Sequence, residues 1–242
     1  MFSSIGSSRL LTWLMPPLLL GGLGAILRPL ETRLLPDPTP AALAWAGHGG
    51  TLAVLGGMRG VLAGCLWLRT NLAWERRDAA ATTELLHLTV AADERPLAFW
   101  LNGARMIAYD FTAWRTPDDA PPAVRRRIVA AQSEAALAFL QRGVQARGPA
   151  AELYVEMANI RLRALGDREG AAELFRQAAL QNGAPYYAAR IHAELLRELG
   201  RSAEALAWLR RVEPTLPAHD PAAQREVVRA RIKGLEQEVA RK

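Results

Sequence analysis

Apolar residues in the C-terminal half of the chain recur at helical spacing and never alternate over a strand length. Val155, Ala158, Leu162 and Leu165 mark one stripe, and Ala189, His192, Leu196 and Leu199 mark its copy 34 residues later. Spacings of three and four place such residues on one buried helix face. The pattern predicts a helical hairpin over residues 152–185 and a second over 186–219, the latter closed by Pro217. Upstream, 100–114 and 124–142 read as the two helices of a diverged third hairpin, and 58–76 with 80–92 as a fourth, closed by Pro96. Residues 222–240 read as an amphipathic capping helix, with Asp220 as N-cap and Pro221 as first helical residue. β-branched residues are sparse, so the expected class is all-α with almost no sheet.

The repeat is clearest in two aligned segments, LRALGDREGAAELFR at 162–176 and LRELGRSAEALAWLR at 196–210. Leu162 pairs with Leu196, Arg163 with Arg197, Leu165 with Leu199, Gly166 with Gly200, Ala171 with Ala205 and Arg176 with Arg210. The glycine supplies the turn after the first helix, and the small alanine lets the second helix pack closely. A 34-residue period is the signature of tetratricopeptide repeats (TPR), which implies a TPR-like α-solenoid. First helices of such an array line its concave face. The positions between the packing stripes are Glu156, Ile160, Arg163, Tyr187, Arg190, Glu194 and Arg197, and they are the candidate peptide-binding groove. Arginines on a rigid helix array can grip a carboxylate through two N–H groups. The competing reading gives them only surface pairs such as Arg190 with Glu194. His192 stands where the first repeat has Ala158, and the expectation for it is a satisfied core histidine.

The N-terminal segment has a different pattern. Residues 10–27 carry no charge and are bracketed by Arg9 and Arg28, a length near the lower limit for a membrane-spanning helix. Pro16 and Pro17 would kink it. A retained anchor over 1–34 is the expectation, with a cleaved signal peptide as the competing reading. A short leading flank before a long C-terminal part suggests a single-pass inner-membrane protein with its repeats exported to the periplasm. The alternating prolines of 35–40 make a stiff spacer. Residues 41–58 are uncharged and glycine-rich, and read either as an interfacial helix or as a weak second membrane segment. The interfacial reading is preferred because Arg59 would otherwise sit close to the bilayer interior. The division expected is therefore anchor 1–34, linker or interfacial segment 35–57, repeats 58–219 and cap 220–242.

LGGMRGVLAGCLWLR at 55–69 and WLNGARMIAYDF at 100–111 carry a resemblance to bacterial membrane-anchored TPR proteins of unassigned function. Their motifs are Gly-Gly-aromatic-Arg-Gly and Ala-Trp-Asn-x-Ala-Tyr-Asn. The matching positions are Gly56, Gly57, Arg59, Gly60, Trp67, Trp100, Ala104, Ala108 and Tyr109. Met58 replaces the usual aromatic, Gly64 an acid, and Arg105 and Asp110 depart from the second motif. Loss of the acid removes the expected ion-pair partner of Arg59. The resemblance implies a tethered repeat protein and no particular chemistry.

Composition narrows the function classes. The net charge of +6 would suit nucleic acid or anionic lipid, but only Lys233 and Lys242 are lysines and the arginines interleave with glutamates along helices. The single cysteine, Cys65, excludes an internal disulfide and cysteine-pair zinc sites, and its apolar neighbours suggest a buried structural thiol. Gly47-His48-Gly49-Gly50 has no nucleophile elbow to serve, and His48, His87, His192 and His219 are scattered singly. No phosphate-cradling loop is present. The expectation is a noncatalytic, membrane-tethered adaptor without cofactor or metal, docking a protein or peptide within an envelope or transport assembly. The alternative is a basic solenoid that binds anionic lipid or nucleic acid.

Overall fold

A computed structural model describes residues 51–241, and these are helical with no strand among them. The predicted anchor at 10–27, the proline spacer and the glycine run at 47–50 lie outside the described residues. The chain forms two compact units that divide between Arg95 and Pro96, inside the 58–219 span expected to be one run of repeats.

Among the described residues the first unit holds a hairpin of α1 (Thr51–Glu75) and α2 (Ala79–Ala92). Helix α1 starts seven residues before the position predicted for it, so Gly56 and Gly57 lie on the helix. Ala63, Thr70 and Ala73 of α1 are buried, as are Thr82, Leu86, Thr89 and Val90 of α2. Thr70 Oγ1 and Thr89 Oγ1 meet at 3.4 Å, and each hydroxyl also donates to its own helix, to Leu66 and Leu85. The Asp78 carboxylate caps α2 by accepting from Ala81 N at 3.0 Å. At the other end, Arg59 Nε donates to the Ala92 carbonyl at 3.1 Å, satisfying one of the orphan carbonyls of the α2 terminus.

The second unit begins with α3 (Leu97–Arg105), which continues through a π-helical turn at Met106–Asp110 into α4 (Phe111–Arg115). Helix α5 (Pro122–Arg147) returns along it, and Trp100 packs on Phe139 with ring centroids 4.9 Å apart. Next come α6 (Ala151–Ile160) with a second π turn at Arg161–Leu165, then α7 (Arg168–Ala179). The pair α8 (Tyr186–Glu198) and α9 (Ser202–Val212) follows, and α10 (Arg225–Ala240) closes the unit. Gly166 and Gly200 take φ of +66° and +77°, the left-handed geometry that stops α6 and α8 and turns the chain into its second helices. Ala171 and Ala205 are fully buried at these crossings.

His192 and Trp208 seal the second hairpin. Nδ1–H of His192 donates to the Ala172 carbonyl at 2.7 Å, and the ring meets Trp208 edge-on at 4.8 Å. Trp208 Nε1 donates to the Ala189 carbonyl at 2.9 Å, so both polar tips are satisfied inside the core. Asp220 caps only the short 3-10 turn Pro221–Ala223, accepting from Ala222 N at 2.9 Å; α10 proper restarts after Gln224, at φ +47°.

Candidate functional site

The proposed groove residues separate into two groups by burial. Ile160 is fully buried and Glu156 is 4% exposed, so neither presents a side chain to a docked peptide. Ile160 belongs to the buried face of α6, with Leu153, Val155, Met157 and Ala158, rather than between stripes. Glu156 accepts from Arg105 Nε at 3.1 Å and Nη2 at 2.7 Å, which ties α6 to α3. That hydrogen bond holds the Arg105 guanidinium above its ordinary value, against burial, which acts the other way.

Tyr109 stands one turn after Arg105 and is 38% exposed. Burial pushes its phenol up, Glu156 adds to this, and Arg163 and Arg105 oppose it. Arg105, Tyr109, Glu156 and Arg163 therefore form one electrostatic neighbourhood between α3 and the end of α6. Arg163 is exposed and has neither hydrogen bond nor ion pair among the described residues. The other positions of the two family-like motifs are structural: Trp100, Ala104 and Ala108 are buried, Arg59 serves the α2 terminus, Trp67 is half-buried, and Gly56, Gly57 and Gly60 lie on α1.

A second cluster joins α8 to α10. Glu194 is shared: Oε1 accepts from Arg197 Nη2 at 2.5 Å and Oε2 from Arg231 Nη1 at 2.5 Å. The Arg197 hydrogen bond, aided by the charge of both guanidiniums, holds the Glu194 carboxyl below the usual carboxylate range. Arg190 does not pair with Glu194; its Nη1 donates to the Ala223 carbonyl at 3.2 Å, and burial, with Arg231 nearby, lowers its pKa. Tyr187 is exposed at the start of α8. Glu194, Arg197, Arg231 and Glu238 line an open cleft of about 320 Å³ floored by Ala193, Leu209 and Leu235.

Arg231 and Arg105 were not among the candidates read from the sequence. Arg231 carries a signal that was there to be read. It lies 34 residues after Arg197, as Arg197 does after Arg163, and Gly234 follows at the spacing of Gly166 and Gly200. Arg163, Arg197 and Arg231 thus recur at one position of the 34-residue period, in the turn after α6, in the last turn of α8 and inside α10, and all three are exposed. Arg105 offered no such cue, since its partner is fixed only by how α3 meets α6.

Among the described residues, no three His, Cys, Asp or Glu side chains converge to hold a metal ion. No helix among them is long and apolar enough to cross a membrane. No protein-family model and no curated protein matches the sequence.

Proposed function

We propose that the chain is a noncatalytic adaptor: a TPR-like helical array, tethered to the bacterial inner membrane through residues 1–34, that binds an acidic segment of a partner protein on its first-helix face. The repeats are placed on the periplasmic side. The observation that carries the reading is the arginine series Arg163, Arg197 and Arg231, set at 34-residue intervals just after α6 and on α8 and α10. The last two already converge on a carboxylate, so the face is built to hold one. Exposed Tyr187 adds an aromatic surface at the far end of the same helix.

The test is a crosslinking pulldown from intact membranes, comparing wild type with a variant carrying Arg163→Ala, Arg197→Ala and Arg231→Ala. Loss of one defined acidic partner, with membrane attachment unchanged, is the expected result. An unchanged set of crosslinked proteins would sink the reading.

A further inference from the structure

Helix α1 is apolar on two opposite sides. One side packs on α2 through Ala63, Thr70 and Ala73. The other carries Val61, Cys65, Leu68 and Leu72 at spacings of four, three and four, which is a single stripe on a helix. Val61 is 56% exposed, Leu68 65% and Leu72 51%, with Leu62 beside them at 55%. In the second unit, by contrast, exposed large apolar residues stand singly along the sequence, as on most protein surfaces. A continuous apolar stripe of this length calls for a cover.

The charges beside it indicate which cover. Arg69 and Arg76 lie seven residues apart, in line with Leu62 along one edge of the stripe. Neither guanidinium has a hydrogen bond or ion pair among the described residues, whereas many arginines of the second unit hold a carboxylate. With Leu72, Leu85 and Asp78 they line a cleft of about 220 Å³, apolar on its floor, with two guanidiniums and one carboxylate at its rim. The nearby Asp78 carboxylate is engaged by the α2 N-terminus. A protein partner or a second copy would satisfy the leucines but leave the guanidiniums to find acids of their own. A phospholipid supplies an acyl chain and a phosphate in one molecule.

We infer that the outer face of α1 lies in the surface of an anionic phospholipid bilayer, with its leucines among the upper acyl carbons and Arg69 and Arg76 on lipid phosphates. Helix α1 does not itself meet the requirements of a spanning segment, and its sequence includes Arg59 and Arg69. An in-plane position suits a helix with leucines on one face and arginines at its edge. The inference rests on the tether reading, because the uncharged run 10–27 ends 24 residues before Thr51. A linker of that length keeps α1 within roughly 80 Å of the bilayer even when fully extended.

Cys65 is the only cysteine and sits in the stripe, so it reports on the face without further mutation. The full chain is labelled there with an environment-sensitive fluorophore and reconstituted into vesicles containing phosphatidylglycerol. Quenching by lipids brominated near the headgroup, with protection from aqueous iodide, is the expected result. In the Arg69→Gln, Arg76→Gln variant the balance of the two quenchers shifts toward iodide by about thirtyfold, the scale of losing two guanidinium contacts to an anionic surface. A chain that floats with vesicles after alkaline extraction yet shows an iodide-accessible Cys65 overturns the inference and leaves the tether standing. Protection from both quenchers overturns it as well, since a protein surface then covers the stripe. A chain that fails to float overturns the tether reading itself.

Discussion

Arg105 and Glu156 are 51 residues apart in sequence and meet through two hydrogen bonds to a single carboxylate oxygen, Oε2. The glutamate is buried and the arginine is half in solvent, at 6% and 53% side-chain exposure. The pair is therefore asymmetric: the acid depends on the base more than the reverse. Arg105→Ala strands a buried carboxylate and is expected to cost about 2 kcal/mol, less than a fully enclosed pair because water can reach the vacated side. Replacing both with Met and Leu should recover most of that loss. Urea unfolding of the two variants checks this.

His192 makes stability depend on pH. Burial holds the folded-state pKa of the imidazole below its ordinary value of 6.5, despite the Ala172 hydrogen bond. The unfolded chain therefore takes up the proton first as pH falls. The contribution of the neutral ring is complete above 6.5 and is lost between 6.5 and the lower folded-state value. Thermal melts from pH 7.5 to 5 should show a falling midpoint in wild type. The slope should be shallower in His192→Gln, which is itself less stable at neutral pH.

Gly143 on α5 is a packing notch. A Cβ there would lie 2.9 Å from Cδ2 of Trp100, an indole that is itself pinned against Phe139. Neither ring can swing away cheaply. Gly143→Ala should destabilise by about 1–3 kcal/mol, the cost typical of overpacking, despite the better helix propensity of alanine. Denaturant titration with tryptophan fluorescence reads both the midpoint and the displaced ring.

Gly166, Gly200 and Gly234 share a sequence position in the repeat but not a backbone. The first two have positive φ and open space where a Cβ would be, so alanine there costs about 1 kcal/mol through backbone strain alone. Gly234 lies in the interior of α10, again with nothing within 4 Å of a Cβ, and alanine there should stabilise by about as much. Melting temperatures of Gly200→Ala and Gly234→Ala should move in opposite directions.

That contrast also bounds what was legible in the sequence. Periodic apolar stripes and the Gly166 and Gly200 turns located α6 to α9, and His192 proved to be a satisfied core residue. Gly234 could be aligned with the other two, but nothing local says that the chain stays helical through it. The two π turns were also invisible, because an extra residue in one helical turn leaves no mark in composition. The turn at Arg161–Leu165 falls where the predicted stripe extends to Leu162 and Leu165, and none of its five residues is buried. At α1 the apolar neighbours of Cys65 pointed to a buried thiol, and it is exposed instead. Apolar periodicity says that a face needs covering, and it does not name the cover.

Glu194 occupies the place on Arg197 and Arg231 that an incoming acid would take. The face thus carries its own resident competitor, present at an effective concentration that no dilute single carboxylate can match. An isolated aspartate or glutamate would merely exchange one ion pair for another and gain almost nothing. Only a ligand that brings several acids in register, reaching Arg163 as well, can repay the displacement. If the face binds an acidic partner as proposed, the shared glutamate sets a threshold there, so that scattered negative charge gains little and a clustered acidic stretch is favoured.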